Sequence, residues 1–273
     1  MSGLSWGVSD FLGGLQSRRM PVLAVLAVTQ PAGLVIALAV VAVIGADPIP
    51  AGMLALAFAG GAAGMAALAA FYTALAMGTM SVVAPIAAMG VVVPVAYGLA
   101  QGEQPGAIQL AGLAVAVAGV VVLGYEEDER GPAAPVARRA IVLALLSALG
   151  FGAFFTLLDV AAADRPGWAV ASARLGGVVA VAGAVIAARP SLRGIPASLG
   201  ILVAVGFFDI AANSLFAVAS TIGLLPVVAV GGSMYPAFTI ALAHLVLGER
   251  LSRAQRIGVV LALAGVALIA GGS

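Results

Sequence analysis

Residues 102–124 read GEQPGAIQLAGLAVAVAGVVVLG, and residues 248–270 read GERLSRAQRIGVVLALAGVALIA. At a constant offset of 146 they agree at Gly102/Gly248, Glu103/Glu249, Gln109/Gln255, Gly112/Gly258, Ala116/Ala262, Ala118/Ala264, Gly119/Gly265 and Val120/Val266. Alanine and glycine matches carry little weight in so biased a chain. The paired Glu and paired Gln are what mark an internal repeat. Upstream, Pro94 matches Pro236 once a difference of four residues, about one helical turn, is allowed between the proline and the Gly-Glu.

Around these stretches the chain is apolar almost throughout. Its 273 residues are 63% hydrophobic and 8% charged, with a mean hydropathy of +1.20. Soluble domains carry roughly 25% charged residues, so water does not suit this surface and a bilayer does. A net charge of +1 gives no reason to expect nucleic acid as a partner. Cysteine is absent, which excludes disulfides, thiolate metal sites and thiol nucleophiles. Every basic residue is Arg. With the excess of Ala, Gly and Val, this is the codon signature of a GC-rich bacterial genome, and it points to a multi-pass protein of a bacterial plasma membrane.

Ten apolar stretches lie at about 3–17, 21–44, 51–77, 79–100, 106–124, 139–162, 167–188, 197–219, 222–247 and 252–270. A crossing needs roughly 20 residues. The opening MSGLSWGVSDFLGG lacks the basic start of a signal peptide and carries Asp10, so it reads as a retained first span. Breaks at Gly78-Thr79-Met80 and Ser220-Thr221 divide runs too long for one crossing. The one strongly polar segment, Tyr125–Arg139 (YEEDERGPAAPVARR), has Gly-Pro and Ala-Pro steps that oppose regular structure. It leaves five spans on either side: residues 1–125, a linker at 126–138, and residues 139–273. A five-span repeat starts and ends on opposite sides of the membrane, so its second copy is inverted. Inverted repeats are the architecture of alternating-access carriers, with the substrate site at the midplane between the halves.

GERLSRAQRIGVVLALAGVALI resembles the last-loop and last-helix signature of the EamA family in the drug/metabolite transporter superfamily, and GEQPGAIQLAGLAVAVAGVVV is a weaker copy. The opening WGVSDFLGG is similar to that family's first helix, and FYTALAMG with the proline-containing helix after it to its third and fourth. The resemblance implies an all-α membrane protein of ten transmembrane helices, arranged as two inverted five-helix repeats around a central cavity. It also implies export of small metabolites, often amino acids or related compounds, and both termini in the cytoplasm. The charges oppose that last expectation. Loops after odd-numbered spans hold Arg18, Arg19, Arg130, Arg138, Arg139, Arg189, Arg193, Arg250, Arg253 and Arg256, whereas even-numbered loops hold only Arg165. The positive-inside rule therefore places the odd loops in the cytoplasm and the termini outside.

Ionisable groups within the hydrocarbon are expensive, so each is a candidate for function. Trp6, Ser9 and Asp10 stand at i, i+3 and i+4, on one face of the first helix. Asp10 reads as a substrate-amine or proton site, or else as an interfacial or capping acid. Arg174 aligns with Gln30 when AVTQPAG is set on ASARLGG, with Ala27/Ala171 and Gly33/Gly177 matching. It is a clamp for a carboxylate, or else it snorkels to the headgroups or pairs structurally with an acid such as Asp159. Asp209 and Asn213 are one turn apart in mid-span, suited to proton coupling, substrate-amine binding or an interhelical hydrogen bond. Tyr72, Tyr97 and Tyr235 are candidates for the cavity wall. Pro85, Pro94, Pro226 and Pro236 are candidate hinges of the fourth and ninth helices. Glu103 and Glu249 read as structural, helix-start acids. Gly60-x₃-Gly64 and Gly98-x₃-Gly102 read as helix packing.

A catalytic reading fails on geometry. Ser233 and His244, the only histidine, are eleven residues apart. Along one helix that is a rise of roughly 16 Å, and a nucleophile must come within about 3 Å of its base. No HExxH, P-loop or dinucleotide fingerprint is present, so no cofactor and no metal are expected. The expected partners are a small-molecule substrate and lipid, with the chain a monomer or homodimer. The alternatives are an exporter of toxic cations and drugs, or a non-transporting receptor or structural membrane protein.

Overall fold

In the computed structural model, residues 2–45, 47–93, 96–97, 106–128, 134–162, 166–222 and 235–271 are described. Among them are ten α-helices: α1 (Ser2–Ser17), α2 (Val22–Ile44), α3 (Ala51–Met77), α4 (Met80–Ala87), α5 (Ala107–Asp128), α6 (Ala134–Ala162), α7 (Pro166–Ala188), α8 (Ile195–Ile222), α9 (Tyr235–Leu247) and α10 (Arg253–Gly271). Among the described residues, five segments are long and apolar enough to cross a bilayer: Val22–Ile44, Ala51–Met77, Pro135–Leu158, Pro166–Ala188 and Ile195–Leu215. Met80–Gly90, Ala107–Gly119 and Tyr235–Leu247 are shorter apolar helices. The outer surface confirms the solvent. Val43 is 87% exposed and Leu245 77%, a pattern that only lipid accommodates.

Three expectations are corrected. The polar segment is less irregular than its prolines suggest: α5 continues to Asp128 and α6 begins at Ala134. Pro135 falls in the first turn of α6, where a missing N–H leaves no bond unmade. The eighth span does not end at Ser220-Thr221: α8 continues to Ile222, and residues 223–234 lie outside the described ones. The fourth span is α-helical to Ala87, winds tighter as a 3₁₀ turn over Ala88–Val91, and is α-helical again at residues 92–93 and 96–97. Pro85 inside it removes a backbone donor, which loosens the α-helical ladder just before that change.

The repeated sequence acquires mechanical meanings. Ser252 and Gln255 form a reciprocal capping box at the start of α10: Ser252 N–H donates to Gln255 Oε1 (3.0 Å), and Gln255 N–H donates to Ser252 Oγ (3.0 Å). Its counterpart Gln109 accepts from Gly106 N–H (2.9 Å) at the start of α5. Gly248 ends α9 with φ of 65°, a left-handed turn that glycine adopts freely, and its N–H donates to His244 O (3.2 Å). Glu249 is a helix-start acid, but for a helix of the other half. Its carboxylate accepts from Met80 N–H (3.2 Å), Ser81 N–H (3.1 Å) and Ser81 Oγ (2.9 Å), capping α4. Arg18 pairs with the same carboxylate at 3.3 Å and donates to Leu75 O and Gly78 O.

That cluster gathers one end of the bundle. Gly78 lies against Ala140 at the start of α6, and Gly194 against Met20 beyond α1. The exposed residues Arg18, Arg19, Arg138, Arg139, Arg189, Arg193, Arg250, Arg253 and Arg256 therefore share this end.

Helices α5 and α10 cross antiparallel with almost nothing between them. A Cβ on Gly112 would meet Ile269 N at 2.8 Å, and one on Gly119 would meet Ala262 N at 2.5 Å. A Cβ on Gly265 would run into the backbone of Ala116. Gly265→Val should therefore lower stability by roughly 1–3 kcal/mol or more, read as an earlier thermal transition of purified protein in detergent. Gly183→Val, where nothing lies within 4 Å, should leave the transition in place.

Candidate functional site

Helices α1–α4 and α6–α9 line a cavity of about 270 Å³. Both halves build it. The first half contributes Trp6 and Asp10 from α1, Gln30 from α2, Gly61, Gly64, Met65 and Leu68 from α3, and Ala87, Ala88 and Gly90 around the 3₁₀ turn. The second contributes Phe151, Gly152, Phe154, Phe155 and Leu158 from α6, Val170, Ala173, Arg174 and Gly177 from α7, Asp209 and Asn213 from α8, and Tyr235 from α9.

Its polar groups divide into a closed set and an open one. Arg174 Nη1 pairs with Asp209 Oδ2 at 2.6 Å and donates to Gln30 Oε1 at 2.9 Å. Asn213 Nδ2 donates to the Asp209 carbonyl at 2.7 Å and to Oδ1 at 3.2 Å. Charge on this wall is thereby balanced. Asp10 faces the same cavity and is 8% exposed, with no hydrogen bond or ion pair to its carboxylate among the described residues. One turn before it, Trp6 packs edge-on against Phe155 (5.9 Å between centroids) and Tyr235 (6.5 Å). An uncompensated carboxyl group beside an aromatic wall can receive a cation or exchange a proton.

Below the cavity the bundle is sealed. Phe11, Phe71, Tyr72, Leu75 and Met80 are all buried, and Gly14 lets α1 lie against Leu75 and Met80. Beneath them lies the Arg18–Glu249 cluster, eight residues and about 12 Å along α1 from Asp10.

Trp6, Asp10, Gln30, Arg174, Asp209, Asn213 and Tyr235, singled out from sequence, therefore share one wall system. Tyr72 does not: it lies in the sealing layer with its ring against Gly13. Tyr97 is 44% exposed and away from the cavity. Ser9 turns from Trp6 and Asp10, and its Oγ donates to Val205 O (3.1 Å) on α8. Arg174 takes Asp209 as its partner; the side chain of Asp159 lies outside the described residues. Pro85 precedes the 3₁₀ turn whose residues line the cavity, and Pro236 occupies the first turn of α9. Pro94 and Pro226 lie outside the described residues, as do Glu103 and Ser233. Gly60 and Gly64 pack on α6, against Leu157 and Phe154. Sequence reasoning missed Gly61, Gly90, Gly152 and Gly177 and the aromatics of GFGAFF, whose clustering at 150–155 was the available signal.

The profile of the EamA-like transporter family matches residues 1–125 and 138–271. The chain belongs to the EamA-like transporter family. It is thus a multi-pass membrane protein of the drug/metabolite transporter superfamily, a family of transporters. No curated protein matches it. One solved crystal structure shares the fold with a TM-score of 0.65 at 18% identity, covering 97% of this chain and 94% of the other.

In this EamA-like transporter the Arg174–Asp209 pair is largely buried, with 11% and 18% of the two side chains exposed. Removing one partner of such a pair costs about 3–5 kcal/mol, because the other charge is stranded. Arg174→Met should lower the melting temperature markedly. The double variant Arg174→Met/Asp209→Leu should recover most of the loss.

Proposed function

We propose that the chain is a secondary transporter, and not an enzyme, that exports a small metabolite by alternating access across a bacterial plasma membrane. The cargo class is an amino acid, amine or related compound. The observation that carries this reading is the cavity between the halves, where a neutralised Arg174–Asp209 wall faces the uncompensated Asp10. In it Asp10 receives the cargo amine or an exchanged proton, Arg174 with Gln30 orients polar groups, and Trp6 and Tyr235 hold the apolar part. A second reading, export of larger organic cations, is favoured by the aromatic wall around Asp10.

Contacts between matched positions support two inverted repeats, residues 1–125 and 139–273. Gln30 and Arg174 correspond in sequence and touch. A Cβ on Gly33 would lie 3.9 Å from Arg174 Nη1, and one on Gly177 would lie 3.7 Å from Gln30 Oε1. Gly119 meets Ala262 as Gly265 meets Ala116. Reciprocal contacts of this kind are what a pseudo-two-fold axis between the halves produces.

In proteoliposomes, a panel of labelled amines and amino acids should include compounds that move faster than leak and faster still with a pH gradient. Asp10→Asn should lower that rate by about tenfold or more, the equivalent of a charged contact of roughly 1.5–3 kcal/mol. If nothing in the panel outruns leak, the carrier reading fails.

The arginine-rich end is the cytoplasmic one by the positive-inside rule. In this cysteine-free chain, a membrane-impermeant thiol reagent applied to intact cells should label Ala51→Cys and spare Arg250→Cys. The reverse pattern would invert the bundle.

A further inference from the structure

Five glycines line the cavity, and four are there because no side chain fits. A Cβ on Gly61 would run into the carbonyl of Ala173, and one on Gly152 into the carbonyl of Gly90. On Gly90 it would lie 2.6 Å from Ala148 O, and on Gly64 2.9 Å from the Phe154 ring. Helix packing accounts for each. Gly177 is different. Its nearest neighbours to an added Cβ are Met65 Cε at 3.5 Å, Gly61 O at 3.6 Å and Gln30 Oε1 at 3.7 Å, all ordinary contact distances. Helix α7 is regular there and its backbone does not require glycine. Alanine is the better helix former by about 1 kcal/mol.

We propose that Gly177 is the specificity-determining residue of the cavity: its missing side chain keeps open cavity space beside Met65 and Gln30, and so sets the upper size limit of the cargo. The proposal rests on the transporter reading of the same cavity and assigns it a size filter. A methyl group at 177 points among Met65, Gln30 and the Gly61 carbonyl. It takes volume from a cavity of about 270 Å³ without moving the Arg174–Asp209 pair. A cavity so small, at the lower limit of roughly 300–1,000 Å³ usual for small-molecule sites, is sensitive to one carbon atom. The repeat counterpart Gly33 has similar room, yet its free space faces Gly206 and Ile210 and it does not line the cavity.

The test uses purified protein in liposomes and a series of primary alkylamines of increasing chain length. With Gly177→Ala, the longest amine carried by the wild type should lose about 10-fold or more in rate at low concentration, while the shortest is unchanged. Gly183→Ala, on the outer face of the same helix, should carry the full series. If wild type carries the series and Gly177→Ala has the same length profile, the filter is overturned while the carrier stands. If wild type carries none of the series, the amine cargo fails, and thiol labelling decides the filter separately. Gly177→Cys, the only cysteine of its chain, should react readily with methyl methanethiosulfonate and at least several-fold more slowly with the benzyl reagent. Equal reactivity to both, or none to either, overturns the filter.

Discussion

Lipid gives helices no hydrophobic reason to associate, since the tails are as apolar as leucine. What holds this bundle together is the close approach of backbone to backbone where side chains are missing. Gly61 lies on the carbonyl of Ala173, Gly176 on that of Phe58, and Gly206 on that of Thr29. These contacts sit beside the residues that define the cavity. Ala173 precedes Arg174, Thr29 precedes Gln30, and Gly206 lies one turn before Asp209. The 2.6 Å ion pair and its 2.9 Å hydrogen bond to Gln30 are thus fixed by the main chain and not by the reach of flexible side chains. A charged cluster inside a membrane protein needs that rigidity, because a small drift would leave the carboxylate and guanidinium each without a partner.

Much of the cavity was legible because polar residues are so scarce in this chain. Asp10, Arg174, Asp209 and Asn213 stand out against apolar surroundings, and a membrane span gives an acid or a guanidinium few purposes. Tyrosine carries no such signal: Tyr72 serves as a sealing residue and Tyr235 as a wall, and nothing in their local sequence separates the two. Helical spacing alone put Ser9 with Trp6 and Asp10. The three span an arc wide enough for Ser9 to bond α8 while its neighbours face inward. Glycine was ambiguous for a related reason. Gly61 and Gly177 read alike in sequence, yet one is pressed against a carbonyl and the other lines the cavity with room for a methyl group.

The Gly-Glu pair that first disclosed the repeat was legible as a motif and opaque as a mechanism. Its acid looked like a cap for the helix that follows it. That helix already has its own cap in Ser252 and Gln255, which leaves Glu249 to reach across to the other half. Contacts separated by well over a hundred residues have no local signature, and only the three-dimensional arrangement pairs Glu249 with Ser81.

That reach bears on how the chain is made. Met80 and Ser81 belong to the first half, but the carboxylate that accepts their N–H groups is 169 and 168 residues further along. The first turn of α4 therefore receives this cap only once nearly the whole polypeptide has been made. The penultimate loop is thus the keystone that ties α4 to the end of the chain.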